Sequence, residues 1–386
     1  MRSYKIQSGI NDMTTLFYRI GFWHRGPAAS PRELCLKLFY CILYVQFPIS
    51  LMGGAIISDT IGEAIFLMEP SVITSVMFTK LCVLIWKQNE IMEFLNGICV
   101  FPIRYDEDFM YVDVKLKRFM TFVRVVLGVA LVAVGFEGIL VPIITTERYL
   151  FYKIAFPWDW KTDDRAYWAA VAFEFMGIVF TVLAFVFSIV IWYLLLNCSL
   201  RYEVLGNEMG KMGSKWDKVR AKVSVMEREN IFSRDLKASI ESHLRIRKLV
   251  DQLESFLFNL FFLQFCTSGL CICTSIYSLA FNVGSSRTER LCHVFNLSYN
   301  ISEIFMITLF GNEILVASDR LSYCLFESNF VGQTISVKKR IIIFTEYLKQ
   351  PQRLMIGNLY PLTLETFTMV LKGAYSMFNI LKNGVK

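Results

Sequence analysis

The sequence contains little of what enzymatic or metal-dependent chemistry requires. Its 386 residues include three histidines, His24, His243 and His293, which are far apart and show no partner pattern. It contains no phosphate-binding loop, nucleophile elbow or metal-ligand spacing. The Cys271-Ile-Cys273 pair is too closely spaced for a zinc site and lies in an apolar run. We therefore predict no catalytic residue, no metal site and no cofactor, and we expect that the chain is not an enzyme.

Charge is scarce as well. Charged residues make up 19% of the chain and hydrophobic residues 55%, whereas soluble proteins contain roughly 45–50% apolar residues. The mean hydropathy is +0.46. The first thirty residues contain no apolar segment typical of a cleavable signal peptide. A net charge of +7 is compatible with basic loops on one side of a membrane and does not require a nucleic-acid partner.

Seven apolar segments of membrane-spanning length predict an all-α integral membrane protein. The predicted spans are residues 34–57, 63–86, 121–144, 166–196, 256–283, 291–317 and 360–382. The polar segments between them keep a helical pattern and are read as helical extensions of the spans. The resulting division is an N-terminal segment (1–33), spans one to four (34–196), helical extensions (197–255), spans five and six (256–317), a second polar segment (318–359), and the last span with a short tail (360–386).

Lys and Arg are concentrated on the side of the membrane that holds the N-terminus. The basic segments are residues 1–33, 87–120, 197–255 and 318–359. The positive-inside rule therefore predicts a cytoplasmic N-terminus and, after seven spans, an extracellular C-terminus. This orientation is opposite to that of rhodopsin-like receptors, whose Asp-Arg-Tyr and Asn-Pro-x-x-Tyr motifs are also missing. The sequence has no internal repeat of the kind found in many transporters.

The last span is apolar but carries polar residues at helical spacing. Met369, Gly373, Ser376, Ile380 and Asn383 follow one another in steps of four, three, four and three, which places them on one face of a helix. Polar groups inside a membrane usually face a bundle interior or a water-filled path, so this stripe is a candidate pore face. The alternative is a helix-packing face in which the small residues allow close approach.

Several motifs in the C-terminal third resemble the insect odorant receptor family. The motifs are Ala317-Ser-Asp-Arg-Leu321, Leu348-Lys-Gln-Pro-Gln-Arg-Leu354, Gly357-Asn-Leu-Tyr-Pro-Leu362 and Leu371-Lys-Gly-Ala-Tyr-Ser376 followed by Phe378. The resemblance is specific over about the last seventy residues. Elsewhere, only the number and orientation of the spans are similar.

The resemblance implies a subunit of an odour-gated, non-selective cation channel in the plasma membrane of olfactory sensory neurons. It implies a heterotetramer with a shared co-receptor subunit, in which the polar helical segments form a cytoplasmic anchor domain. This chain is similar to the odorant-specific subunit, because it lacks the long insertion that the shared subunit carries after its fourth span. By position in the motif, Ile380 corresponds to the hydrophobic gate, with Asn383 one turn further out.

The resemblance also implies a ligand pocket in the outer half of the membrane, among the second, third, fourth and sixth spans. A volatile odorant requires an apolar pocket with one or two orienting polar groups. The predicted ligand-binding residues are Ser71, Thr74, Phe136, Ile139, Leu140, Phe173, Met176, Phe295 and Tyr299. Within this set, Ser71, Thr74 and Tyr299 would orient a polar group of the ligand.

Two other readings stay open at this point. A gustatory receptor-type channel would share the layout, although the end of the last span favours the odorant branch. A transporter would place Glu69, Pro70 and Lys372 along a substrate path. Lys382 also has two interpretations: it either faces the outer mouth of the pore, where it would repel cations, or extends sideways to lipid head groups.

Overall fold

The computed structural model describes residues 2–4, 6–26, 29–135, 150–213, 225–281 and 287–384. These residues form a helical bundle. The helices are α1 (Ser8–Arg19), α2 (Pro31–Ile57), α3 (Ile61–Trp86), α4 (Gln88–Cys99), α5 (Asp106–Gly135), α6 (Asp164–Gly210), α7 (Val225–Ala280), α8 (Arg287–Asp319), α9 (Leu321–Phe326), α10 (Ile335–Leu348) and α11 (Leu364–Gly384). Two short antiparallel pairs join β1 (Arg2–Tyr4) to β2 (Phe101–Ile103) and β3 (Met355–Ile356) to β4 (Tyr360–Pro361).

The predicted all-α membrane architecture is confirmed. Among the described residues, six helices, α2, α3, α5, α6, α7 and α8, are long and apolar enough to cross a membrane. The seventh predicted span corresponds to α11, a helix of 21 residues that packs against α7 and α8.

Local sequence signals explain where the first spans begin. The Ser30 side chain accepts a hydrogen bond from the Glu33 backbone, the Glu33 carboxylate accepts one from the Ser30 backbone, and Pro31 takes the first helical position. This capping box satisfies two backbone donors that the first turn leaves without helical partners. The Thr60 hydroxyl likewise accepts from the Glu63 backbone at the start of α3. These caps fix the starts of α2 and α3, which are joined by a short turn.

Two helices extend well beyond a bilayer. α6 continues through Gly210 and contains 47 residues, and α7 contains 56 residues, a length of about 84 Å at 1.5 Å per residue. The hydrocarbon core of a membrane is only ~30 Å thick. The polar segments that follow the fourth span and precede the fifth are therefore continuous with the apolar helices.

Two predicted spans differ from the observed helices at their ends. α5 begins at Asp106, earlier than the predicted start at residue 121, and the predicted end of that span lies outside the described residues. The last helix begins at Leu364, because Tyr360 and Pro361 pair with Met355 and Ile356 in a hairpin. The hairpin turn uses Gly357 and Asn358, both with positive φ, as a type I′ turn requires.

α6 lies at the centre of the bundle. Every residue from 186 to 200 is buried, and the apolar part of this helix lacks a polar face. A helix that is apolar all round is typically surrounded by other helices. α6 packs against α2, α3, α5, α7 and α8, so it supplies one wall of any cavity that forms between them.

Candidate functional site

A cavity of about 430 Å³ lies between α3, α5, α6 and α8. Its lining is mostly aliphatic and aromatic, which suits a small apolar ligand. The lining residues are Phe47, Pro70, Ile73, Thr74, Met77, Phe122, Val125, Val126, Val129, Ala130, Ala133, Val134, Tyr152, Ile178, Thr181, Val182, Phe185, Trp192, Phe295, Asn296, Ser298, Tyr299, Ser302 and Glu303.

A buried ion pair lies beside the cavity. The Lys80 ammonium on α3 donates to Glu303 Oε1 on α8 at 2.6 Å and to Ser188 Oγ on α6 at 2.8 Å. The two charged side chains are only 2% and 1% exposed. Glu303 also lines the cavity, and its second oxygen, Oε2, has no hydrogen-bond partner among the described residues. The ion pair therefore joins three helices and places a carboxylate at the cavity wall.

An aromatic chain forms another part of the wall. The Phe185 ring meets the Trp192 ring edge-on at 5.7 Å and the Tyr299 ring at 6.1 Å. The Tyr299 hydroxyl lies 3.9 Å from the Met77 sulfur, a weak acceptor. Trp192 is 2% exposed, and its indole Nε1 has no acceptor within the part of the chain that the structure describes.

The hydroxyls of the cavity residues are mostly occupied by their own helices. Thr74 donates to the carbonyl of Pro70, Ser298 donates to that of Val294, and Thr181 donates to that of Gly177. Such bonds satisfy the hydroxyl proton inside the helix, and the Thr181 oxygen additionally accepts from the Tyr44 hydroxyl. The cavity therefore offers few free donors to a ligand.

The structure brings some of the predicted ligand-binding residues together. Thr74, Phe295 and Tyr299 line the cavity. Ser71 is buried and donates to the Pro48 carbonyl, which ties α3 to α2. The Phe173 ring contacts the rings of Phe47 and Phe156 and does not itself line the cavity, and Met176 is exposed. Phe136, Ile139 and Leu140 lie outside the described residues.

Sequence reasoning did not select the cavity residues Glu303, Phe185 and Trp192, or Lys80 beside the cavity. An available signal was the presence of ionisable residues inside two predicted spans, since intramembrane charges mark functional positions by default. Glu303 also lies four residues after Tyr299, which places it on the same helical face.

A second buried polar cluster lies next to the cavity wall. Glu69 precedes the lining residue Pro70 and is 3% exposed. Its Oε2 lies 2.7 Å from His293 Nδ1 on α8, and its Oε1 accepts a short hydrogen bond from Ser275 Oγ on α7. Pro70 and Glu69 thus connect the cavity wall with α7, and α7 in turn packs against α11.

The predicted stripe on α11 faces out of the subunit. Ile380 is 72% exposed and Met369 45% exposed, Ser376 is exposed, and Gly373 has no neighbour within 4 Å of the position of a Cβ. Asn383 lies in the same helix, and its side chain is outside the described part of the structure. The opposite face, which includes the buried Ala374, packs against the bundle. The stripe is therefore available to neighbouring subunits or to a pore.

Comparisons with known proteins all indicate the same family. A sequence profile described as "7tm Odorant receptor" matches residues 60–375. Odorant receptor 94a of Drosophila melanogaster is 24% identical over 279 residues, which cover 72% of this chain and 68% of that receptor. Odorant receptor 23a of the same species is 27% identical over 271 residues, covering 69% and 65%. The chain thus matches about two thirds of the length of these relatives.

The fold is shared with a solved receptor. The insect olfactory receptor OR5 from Machilis hrabei aligns with a TM-score of 0.80 at 16% identity over 97% of each chain. The structure of OR5 in complex with eugenol aligns with a TM-score of 0.75 at 17% identity, over 97% of this chain and 99% of that one. At this level of identity, the similarity shows that the helical arrangement is common to both proteins.

Proposed function

Since the chain belongs to the 7tm odorant receptor family, a family of multi-pass membrane receptors, we propose that it binds a small volatile ligand in the cavity between α3, α5, α6 and α8. The observation that carries this proposal is the cavity itself. About 430 Å³ of mostly apolar space with a few polar groups at its wall is the kind of site that a small, largely hydrophobic molecule requires. The structure of OR5 in complex with eugenol, which shares this fold, supports the proposal that the fold binds a small ligand.

The proposed response to the ligand is the opening of a non-selective cation channel. The exposed stripe of α11 would line the pore, and a ring containing Ile380 would close it by excluding water. Support comes from Met369, Gly373, Ser376 and Ile380, which are all exposed on the surface of the single subunit. Ligand-induced movement of α3 would reach α11 through the contact of Glu69 with Ser275 on α7.

The proposed channel is a heterotetramer with a shared co-receptor subunit, in the plasma membrane of olfactory sensory neurons. In this arrangement the N-terminus is cytoplasmic, and the polar parts of α6 and α7 form an anchor domain with α10. Exposed apolar side chains on α10, including Ile342 at 64% and Ile343 at 71%, would be covered by neighbouring subunits. Uncovered apolar groups of this kind are typical of interaction surfaces.

Whole-cell recording tests the proposal. The chain is expressed alone and with an insect co-receptor subunit, and current is measured during pulses of a chemically diverse volatile panel that includes eugenol. Phe185→Leu, in the cavity wall, should change the ranking of the ligands. Phe39→Leu is the matched control, because Phe39 is 56% exposed on α2 and does not line the cavity.

The expected result is current only on co-expression, with a ligand ranking that Phe185→Leu changes and Phe39→Leu does not. Silence toward the whole panel, with both subunits at the cell surface, would overturn the proposal. Saturable ligand uptake without current would instead indicate a transporter.

A further inference from the structure

The cavity wall carries one buried acceptor and one buried donor that the protein leaves unused. Glu303 Oε2 is the acceptor and Trp192 Nε1 is the donor, and neither has a partner among the described residues. Both side chains line the cavity, and they are 1% and 2% exposed. A buried polar atom without a hydrogen bond is unfavourable, so a ligand that bonds to it gains affinity.

The two side chains are connected through Ser188 and the ion pair. Lys80 joins Glu303 to Ser188 on α6, with distances of 2.6 Å and 2.8 Å from its ammonium nitrogen. Trp192 lies one helical turn beyond Ser188 on the same face of α6. The ion pair thus holds the Glu303 side chain against α6 at Ser188, one helical turn before Trp192.

We infer that this end of the cavity recognises a hydroxyl group, so that the receptor prefers alcohols and phenols to ketones, esters or hydrocarbons of the same carbon skeleton. A hydroxyl both donates and accepts, and it can satisfy Glu303 and Trp192 together. A ketone oxygen only accepts, so it leaves the Glu303 oxygen without a partner. A hydrocarbon leaves both atoms without partners. This inference rests on the proposed binding of a volatile ligand in the cavity.

The charge of the site favours a neutral ligand. The Lys80 ammonium already compensates the Glu303 carboxylate, and both are buried. A ligand ammonium would bring an additional buried charge without a counter-ion, which is unfavourable in a low-dielectric interior. The neutral hydroxyl obtains a charge-assisted hydrogen bond to the carboxylate without this cost.

The decisive variant is Glu303→Gln, which replaces the free acceptor by a donor. The ammonium of Lys80 repels an amide NH₂ group and attracts the amide oxygen, so the oxygen should stay on Lys80 and the NH₂ should face the cavity. The selectivity should then change from the alcohol toward the matched ketone, by about tenfold or more in the ratio of half-maximal concentrations. Glu313→Gln is the control: it makes the same change on the same helix, outside the cavity lining.

The experiment uses three ligands with one carbon skeleton (alcohol, ketone and primary amine) on the co-expressed channel. The wild-type and Glu313→Gln receptors should respond to the alcohol at the lowest concentration, and Glu303→Gln should shift toward the ketone. A wild-type receptor that responds equally to alcohol and ketone, or best to the amine, overturns the inference even if Glu303→Gln fails to reach the surface. An unchanged ratio in Glu303→Gln overturns it as well.

These outcomes are separate from failure of the proposed function. If no volatile ligand evokes current from surface-delivered wild-type channels, the cavity is not an odorant site and the proposed function fails. If volatile ligands evoke current without preference for the hydroxyl, only the assignment of Glu303 and Trp192 fails.

Discussion

His293 Nδ1 lies 2.7 Å from Glu69 Oε2, and this contact joins α8 to α3 inside the bundle. Both side chains are at most 3% exposed. A carboxylate in this environment needs its partners, because water is not available to replace them. The contact therefore fixes the relative position of two helices that carry lining residues of the cavity.

Replacing His293 should destabilise the protein. In His293→Leu, Glu69 keeps, among the described residues, only the hydrogen bond from Ser275, and we expect a loss of about 2 kcal/mol in the free energy of unfolding. The measurement is the thermal unfolding of the detergent-solubilised protein. Glu69→Met combined with His293→Leu should recover much of the loss, because no buried carboxylate remains. Additive losses in the double variant would contradict the direct interaction.

The Lys80–Glu303 pair can be tested by a similar comparison of single and double variants, with surface delivery and ligand preference as the readouts. Lys80→Met leaves the Glu303 carboxylate buried without its ammonium and should cost about 3–5 kcal/mol. Lys80→Met combined with Glu303→Leu should restore surface delivery, since it removes both charges. The double variant should also lose the preference for alcohols over ketones. Retention of that preference would show that another group recognises the hydroxyl.

A larger residue at Gly177 should reduce the volume of the cavity indirectly, by displacing a ring that lines it. A Cβ at this position would overlap the ring of Phe47, which lines the cavity. In Gly177→Ala the ring must move, so we expect a loss of sensitivity that is larger for bulky ligands than for small ones. Gly128→Ala is the control, since its Cβ would meet nothing within 4 Å. Equal sensitivity of the two variants to bulky ligands would contradict the packing argument.

A substitution at Ile380 should affect gating without affecting folding. Because this residue is 72% exposed within the subunit, Ile380→Ala should change the stability of the single chain by no more than about 0.5 kcal/mol. In the assembled channel it should raise the resting current or alter permeation. Leu381→Ala, one position off the stripe, is the control. No change in current or permeation would place the gate elsewhere.

A pH dependence should come from His243, in the polar half of α7. The rings of Tyr202, Phe344 and Tyr347 surround it, and neither imidazole nitrogen has a hydrogen-bond partner among the residues described. Burial, reinforced by the charge of Arg247, lowers the pKa of His243 from 6.5 to about 4.

The unfolded chain binds a proton at this histidine below about pH 6.5, whereas the folded chain resists protonation until the pH approaches the lowered value. The contribution of His243 to stability is therefore intact above the unfolded pKa and is lost as the pH falls toward the folded one. The thermal midpoint of His243→Leu should decline less than that of the wild type in this window, and the two slopes should coincide at higher pH. Equal slopes at acid pH would refute the assignment.

The membrane architecture could be read from the sequence because apolar runs of about twenty residues have few alternatives in a bilayer. The last helix begins at Leu364 and not at the predicted residue 360, because Tyr360 and Pro361 belong to a hairpin. Their pairing with Met355 and Ile356 depends on the positive-φ turn at Gly357 and Asn358. A hydropathy pattern contains no information about that turn.

The cavity was harder to predict, for a geometric reason. Thr74 and Tyr299 line the cavity, whereas Phe173 on α6 packs behind the lining residue Phe47 and Met176 on the same helix is exposed. The rotation of a helix that is apolar all round is set by its neighbours, because no amphipathic pattern specifies it. The use of these residues in ligand binding remains a prediction.

The 223-residue separation of Lys80 and Glu303 has a consequence for biosynthesis. At 5–20 residues per second, a ribosome produces Lys80 about 11 to 45 seconds before Glu303. During this interval α3 holds an ammonium group whose carboxylate does not yet exist, and an unpaired charge is unfavourable at the centre of a bilayer. We therefore expect α3 to become stable at its final depth only after α8 has been made and has docked. A receptor truncated before α8 should therefore be retained and degraded during synthesis.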